Sequence, residues 1–437
     1  LTEERFMPAS TLSLAFCFQG KSDDYAGQLD EIVPIIAEIA VNENQLARDC
    51  AAEAIYQFAN VFDELLDDYL GELTDACIKS FQMQSEDDVS TNFIRSLTEL
   101  FVMSSSADSV FAESYQFLIA IIDEVEPTIK MQIFECLVAL CSHSIESITQ
   151  EFDQIYEMMS TIAASESEET QNLIPSAIDC LNALSVSART KFAPHAEGFA
   201  VFLLQAIDNE DPSIVVSALR AIAAASPYYP DVFLQNIGEI APKLLEFGEK
   251  DTNERLAQET MAHLENLRKL EENKDLEIEI DEIDEEKAQK PYIIPALSLC
   301  ALCGILAKAP PEVLAEYAGP ILERCDAQLT AMAEDAIVQT CRALALLAEL
   351  VGNAALEVET FSVAIVDKAS DLIKLTNSEF IVTSVVEVFQ AILDFIPREA
   401  ISQESMGKIM EIVQGFLSGE ATVSITSQEE QVHEDFS

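Results

Sequence analysis

The feature that most constrains this 437-residue chain is a repeat. An acidic or polar turn, an aromatic residue and an apolar residue a few positions later recur along it. The element appears at Asp24-Tyr25-Ala26-Gly27 with Leu29, and at Asp68-Tyr69-Leu70-Gly71 with Leu73. It returns at Tyr115 and Ile119, Phe152 and Tyr156, His195 and Phe199, and Phe233 and Ile237. Two more copies are Glu316-Tyr317-Ala318-Gly319 with Ile321, and Phe361 with Ile365. Neighbouring anchors lie 37 to 46 residues apart, except for one interval of 84 between Phe233 and Tyr317. That interval is twice 42, which predicts a missing anchor near residue 275. A period of about 40–47 residues belongs to stacked helical hairpins, in which no unit buries its apolar face alone.

Between anchors lie apolar stripes at helical spacing. They read Leu46, Cys50, Ala54, Ile55, Phe58 and Phe62; Ile129, Ile133, Leu137, Leu140 and Cys141; and Ile337, Cys341, Leu344, Ala345, Ala348 and Val351. Positions i, i+4, i+7/8 and i+11/12 fall on one helical face. Each repeat therefore predicts a first helix, a short turn and a second helix opened by the aromatic. The fold class expected is all-α: an α-α superhelix, or solenoid, of about ten HEAT-type hairpins. The expected organisation is HEAT repeats over 1–270, an acidic loop or arm over 271–286, HEAT repeats over 287–418 and a disordered tail over 419–437. In this reading a first helix spans about 251–270, and its second helix is replaced by the acidic run.

Charge narrows the function. Acidic residues number 78 and basic residues 24, a net charge of −54. Such a surface repels phosphate backbones and anionic membranes. Disorder also needs low hydrophobicity, and 49% of these residues are hydrophobic. A folded core with a basic partner is the expectation. Gly (12) and Pro (15) are too few for a turn-rich β fold. The ten cysteines show no paired spacing, which predicts reduced thiols and a cytosolic or nuclear setting. Residues 9–18 imitate a signal core, but Glu3 and Glu4 precede them where positive charge is needed. The uncharged run 291–307 holds Pro291 and Pro295 and reads as a buried helix.

Catalytic patterns are absent from the sequence. His143, His195, His263 and His433 form no metal-ligand pair, and His195 occupies an aromatic anchor slot. Cys300 and Cys303 make a CxxC without a second pair, short of the four ligands zinc needs. No phosphate-cradling glycine loop is present. The expectation is a non-enzyme without catalytic residues, metal or cofactor.

The remaining candidate is an acidic surface. The second helices carry Asp30, Glu31 and Glu38; Glu72 and Asp75; Asp153 and Glu157; Glu239 and Glu246; and Glu323 and Asp326. If second helices line the inner side, these acids form a ladder along a concave groove that steers a Lys/Arg-rich ligand. The run 271–286 sets ten acids against one Lys. Within it Asp281, Glu282, Asp284, Glu285 and Glu286 make a candidate acidic arm, with a solvated charge run as the plainer reading.

Two stretches carry a family resemblance. One is 128–207: TIKMQIFECLVALCSHSIESI, the turn SESEET, then AIDCLNALSVSARTKFAPHAEGFAVFLLQAI. The other is 281–330, where the acidic run leads into DEEKAQKPYIIPALSLCALCGILAKAPPEVLAEYAGPILERCDAQL. Both resemble the importin-β (karyopherin-β) superfamily, above all the large importers of ribosomal proteins and histones. The resemblance implies a nuclear transport receptor that holds basic protein cargo and releases it to Ran-GTP. It implies FG nucleoporins as further partners, and a place in cytoplasm, nucleus and nuclear pore. Such receptors carry an acidic loop within one repeat, which 271–286 resembles. The chain begins at Leu1 and is shorter than half a typical receptor, so the expectation is a middle fragment. No Trp is present, although cargo grooves in this family often use Trp, and no Ran- or nucleoporin-contacting residue is carried over. The alternative is a HEAT scaffold or regulatory subunit that ignores Ran.

Overall fold

The computed structural model describes residues 7–83, 91–122, 125, 127–144, 146–165, 167–250, 252, 291–374, 376 and 378–418. The acidic arm 271–286, the helix expected at 251–270 (apart from Thr252) and the tail 419–437 lie outside them. Among the described residues every regular element is helical. The chain divides into two compact units, Leu1–Pro194 and His195–Ser437.

The first unit holds α1 (Met7–Ala26), α2 (Leu29–Ala40), α3 (Gln45–Val61), α4 (Leu70–Gln82), α5 (Asn92–Met103), α6 (Phe111–Ile121), α7 (Pro127–Ser142), α8 (Ile148–Ala163) and α9 (Ile174–Ser187). The second holds α10 (Ala196–Ala206), α11 (Pro212–Ala225), α12 (Ile237–Glu249), α13 (Ile294–Leu306), α14 (Pro311–Gln328), α15 (Glu334–Ala354), α16 (Val358–Ile373), α17 (Glu379–Phe395) and α18 (Gln403–Ser418). One-turn helices such as Asp63–Leu66 and Arg189–Phe192 fill some of the connections.

Local chemistry sets the boundaries. Asn44 caps α3 by accepting a bond from the Ala47 N–H at 3.4 Å. Asp211 accepts from the Ser213 N–H at 2.9 Å, and Pro212 starts α11 where no N–H is needed. Pro34, Pro242 and Pro320 sit inside α2, α12 and α14. Each removes one helical hydrogen bond, a loss that tertiary packing offsets.

Two layers result within each unit. The odd-numbered helices stack directly: α1 on α3, α3 on α5, α5 on α7 and α7 on α9; then α11 on α13, α13 on α15 and α15 on α17. Even-numbered helices hold one another less closely. Each even helix within a unit packs more tightly on the odd helix after it than on the one before. The compact hairpin is thus α2–α3, α4–α5 and so on, one helix out of step with the limits read from the anchors. The anchors fall in or just before the even helices, but do not say which neighbour receives them. The 84-residue interval changes meaning accordingly. Helices α12 and α13 pack on each other directly, so 253–290 separates the two helices of one hairpin.

The expected stripes are buried with two exceptions. Leu46 is 61% exposed, because it falls in the first turn of α3, and Ala345 is half-buried. The stripes are also wider than expected: α3 buries Ala47, Ala51, Ala52 and Ala59 as well. A helix between two neighbours needs apolar surface on both flanks, and Ala permits the close approach. The anchor aromatic Tyr69 lies edge-on to Phe58 of α3, at 5.8 Å between ring centroids. Every residue of α13 is buried. Helices α11, α12, α14 and α15 all pack on it. No helix among the described residues is long and apolar enough to cross a membrane.

Polar ties roughly forty residues apart join successive repeats. The Ser96 hydroxyl donates to the Ala52 carbonyl at 2.8 Å, and the Ser147 N–H donates to Asp108 Oδ1 at 2.8 Å. The Cys300 thiol donates to the Gln339 carbonyl at 3.2 Å and the Cys303 thiol to the Ala343 carbonyl at 3.7 Å. The CxxC is therefore core. All ten cysteines are free, and burial pushes the Cys300 thiol up to about 12.

Candidate functional site

The acids singled out in the sequence lie on the outward face of even-numbered helices. In α2, Leu29, Val33, Ile36 and Ile39 turn inward, which leaves Asp30, Glu31 and Glu38 exposed. Glu72 on α4, Asp153 and Glu157 on α8, Glu239 and Glu246 on α12, and Glu323 and Asp326 on α14 are likewise exposed. Asp75 is half-buried.

Several of these groups have local duties. Asp30, Glu31, Glu72 and Glu239 fall in the first turns of α2, α4 and α12. There a negative charge faces the positive end of the helix dipole, a gain of about 0.3–1 kcal/mol. This accounts for part of their recurrence at matching places. Asp30 also accepts from the Tyr69 hydroxyl at 2.8 Å, and that bond, with the charge behind it, pushes the phenol up to about 12. Asp75 pairs with Lys79 one turn later, and Asp326 pairs with Lys368 of α16. Glu157 borders an open cavity of about 490 Å³ beside Phe134, Met158, Ile162 and Lys130. The acidic arm, Asp281 to Glu286, lies outside the described residues.

The odd helices pack on one another more closely than the even helices do, and the acids named above lie on the even layer.

The odd layer has its own polar stripe, which the sequence reading missed. Asp49 and Glu53 on α3, Glu99 on α5, Glu135 on α7 and Asp179 on α9 are all half-buried on otherwise apolar helices. Glu53 accepts from Gln57 Nε2 at 2.7 Å, and the Arg95 guanidinium lies 4.0 Å from the Tyr56 ring centroid. The signal was present as one or two acids on each core helix of the first unit. It was hidden because periodicity finds apolar faces, and these acids are the gaps between them.

Among the described residues no group of three or more His, Cys, Asp or Glu is placed to hold a metal ion.

Comparison with known proteins places the fold. Residues 19–158 match the family model described as IPO5-like, TPR repeats. No curated protein sequence matches the chain. Among solved structures, Kap121p bound to Ste12p superposes with a TM-score of 0.65 at 11% identity, over 100% of this chain and 41% of that one. Kap121p bound to Pho4p gives 0.66 at 10% identity, over 96% and 41%. Yeast importin-beta, Kap95p, gives 0.55 at 15% identity, over 90% and 50%. The fold is that of the karyopherins, and this chain spans half or less of their length. The family match over 19–158 covers less than half of the chain, and the structural likeness is one of fold.

Proposed function

We propose that the chain is part of an importin-type nuclear transport receptor that binds basic protein cargo. The observation that carries this reading is the acidic stripe on the closely packed odd helices, which this proposal takes as the inner, cargo-facing layer. Asp49, Glu53, Glu99, Glu135 and Asp179 follow one another across four stacked helices. A half-buried carboxylate is less screened than one in open water, so a row of them discriminates strongly for Lys and Arg. The outer acids, from Asp30 to Asp326, supply the long-range field that speeds encounter. The solved neighbours include Kap121p bound to Ste12p, to Pho4p, to the SUMO protease Ulp1p and to Nup53p. By analogy the partners of this chain are a basic cargo, with ribosomal proteins or histones as candidates, and a nucleoporin. Ran-GTP releases the cargo from the complete receptor.

The test separates the two acidic layers. A fluorescent Lys/Arg-rich peptide is titrated against the parent, Glu99→Gln/Glu135→Gln, and Glu31→Gln/Glu323→Gln. The inner pair should raise Kd by about tenfold or more, since each charged bond contributes roughly 1.5–3 kcal/mol. The outer pair should mainly slow association at low salt. Equal Kd for parent and inner pair refutes the assignment of the cargo face. Failure of Ran-GTP to release cargo from the complete receptor refutes the transport reading.

A further inference from the structure

Helix α1 has two unlike flanks. Thr11, Ala15 and Phe18 are buried, and Phe18 meets Phe58 of α3 edge-on at 6.1 Å between ring centroids. On the opposite flank Ala9, Leu12, Ser13 and Phe16 are exposed. They follow the i, i+3, i+4, i+7 spacing of a single helical stripe. Phe16 is 61% exposed, a large ring left mostly in water.

Three properties set this stripe apart. First, it is uncharged. No residue from Met7 to Gly20 carries a charge, in a chain with 78 acids and 24 bases. The exposed flank of α17, by contrast, sets Glu387 and Asp394 beside Phe380. Second, its polar group is already satisfied. The Ser13 hydroxyl donates to the Ala9 carbonyl of its own helix at 2.7 Å, so covering the stripe strands no hydrogen bond. Third, it is complementary to itself. Ala9, Leu12, Ser13 and Phe16 run small, large, small, large. If a second copy is turned end for end about an axis between 12 and 13, each Phe16 falls opposite an Ala9 and each Leu12 opposite a Ser13. Every bulky side chain then meets a small one, the condition for close interdigitation.

We propose that a second copy of this chain covers the stripe, through antiparallel pairing of the two α1 helices about a two-fold axis. Such an interface is isologous, so one patch serves both partners and the assembly closes at two. The contact is two turns of helix or about 10 Å long, and it falls below the roughly 1,200 Å² of a stable complex. Two bodies of net charge −54 also repel each other. The dimer therefore belongs to high protein concentration and is favoured by salt, since the Debye length falls from about 10 Å at 0.1 M to about 3 Å at 1 M. Binding of a basic ligand to acidic residues has the opposite salt dependence. The dimer thus stands or falls separately from the transport reading.

The test is sedimentation equilibrium of the whole 437-residue chain, from micromolar to several hundred micromolar protein, at about 0.1 M and about 1 M NaCl. The mass should rise toward twice that of the monomer, and at lower protein concentration in the higher salt. Phe16→Ala should raise the dimer Kd by about a hundredfold or more, because one substitution removes two buried rings from a two-fold interface. The exchange Ala9→Phe/Phe16→Ala restores the large-on-small pairs and should return Kd to within about tenfold of the parent. Phe380→Ala on α17 should leave Kd unchanged. Far-UV circular dichroism checks that each variant is folded, and should Phe16→Ala lose helix, Leu12→Ala takes its place and should raise Kd by about tenfold or more. The proposal is overturned if the chain stays monomeric throughout at 1 M NaCl, in which case some other polypeptide covers the stripe. It is equally overturned if the folded Phe16 or Leu12 variant dimerises as the parent does, if the exchanged variant fails to dimerise, or if Phe380→Ala abolishes the dimer.

Discussion

Gly304 offers a direct test of how closely the odd-numbered helices are stacked. It sits near the end of α13 and faces α11. A Cβ at this position would lie 2.6 Å from the Ala223 carbonyl oxygen and 2.8 Å from Ser226 Oγ. Ordinary contact begins near 3.4 Å, so the two helices would have to part by roughly 0.8 Å. Neither obstacle yields easily. One is backbone, and the Ser226 hydroxyl donates to the Ile222 carbonyl at 2.6 Å. Overpacking a core costs about 1–3 kcal/mol. Alanine gains back at most about 1 kcal/mol in helix propensity. Because the clash is with backbone, we expect the upper part of that range and a net loss of about 1–2 kcal/mol for Gly304→Ala. Gly319 on α14 is the control, since a Cβ there meets nothing within 4 Å. Gly319→Ala should gain about 0.5–1 kcal/mol. Far-UV circular dichroism melts should show the first variant lower by about 2–8 °C and the second higher by about 1–4 °C. If Gly304→Ala is as stable as the parent or more so, the close α11–α13 approach is wrong.

Thiol reactivity should mirror burial. Cys17 is half-buried and the other nine cysteines are buried, so a thiol reagent should label about one group in the native protein and all ten after unfolding. Burial tends to raise the Asp108 carboxyl, but hydrogen bonds from Ser147 and Ser106 outweigh it and hold the group below its ordinary value. Its stabilising contribution is present above about pH 3.9 and is lost as pH falls through the lower native value. Asp108→Ala should cost about 1–2 kcal/mol at neutral pH and show less dependence on acid in urea melts. Lys408 Nζ bonds Asp367 at 2.8 Å and Glu404 at 2.9 Å, which raises its pKa. The stability it adds is full below the ordinary Lys value near 10.4 and is lost as pH rises through the elevated one. Lys408→Met should therefore flatten the alkaline limb of the melting-temperature profile, and an unchanged limb would assign that titration elsewhere.

The sequence by itself determined the helical class, the forty-residue period and the identity of most core positions. These follow from local rules: apolar spacing selects a helix, and a recurring anchor falls in or just before most even helices. Phe58, Ile133 and Leu344 were legible because a stripe on one helix is visible without knowing its partner. Which helices pair was not legible. Helix α2 abuts α1 in sequence yet packs more tightly on α3, and α12 meets α13 across 253–290. The candidate acids show the same division. Their exposure followed from the pattern, but Asp30, Asp75 and Asp326 proved to be engaged by Tyr69, Lys79 and Lys368. Asp49, Glu99 and Glu135 came into one layer only when their helices became close neighbours. The physical reason is that helix formation is decided within a few turns of chain. Which helices become close neighbours depends on how whole helices approach one another, and that distance is set by side chains about forty residues apart.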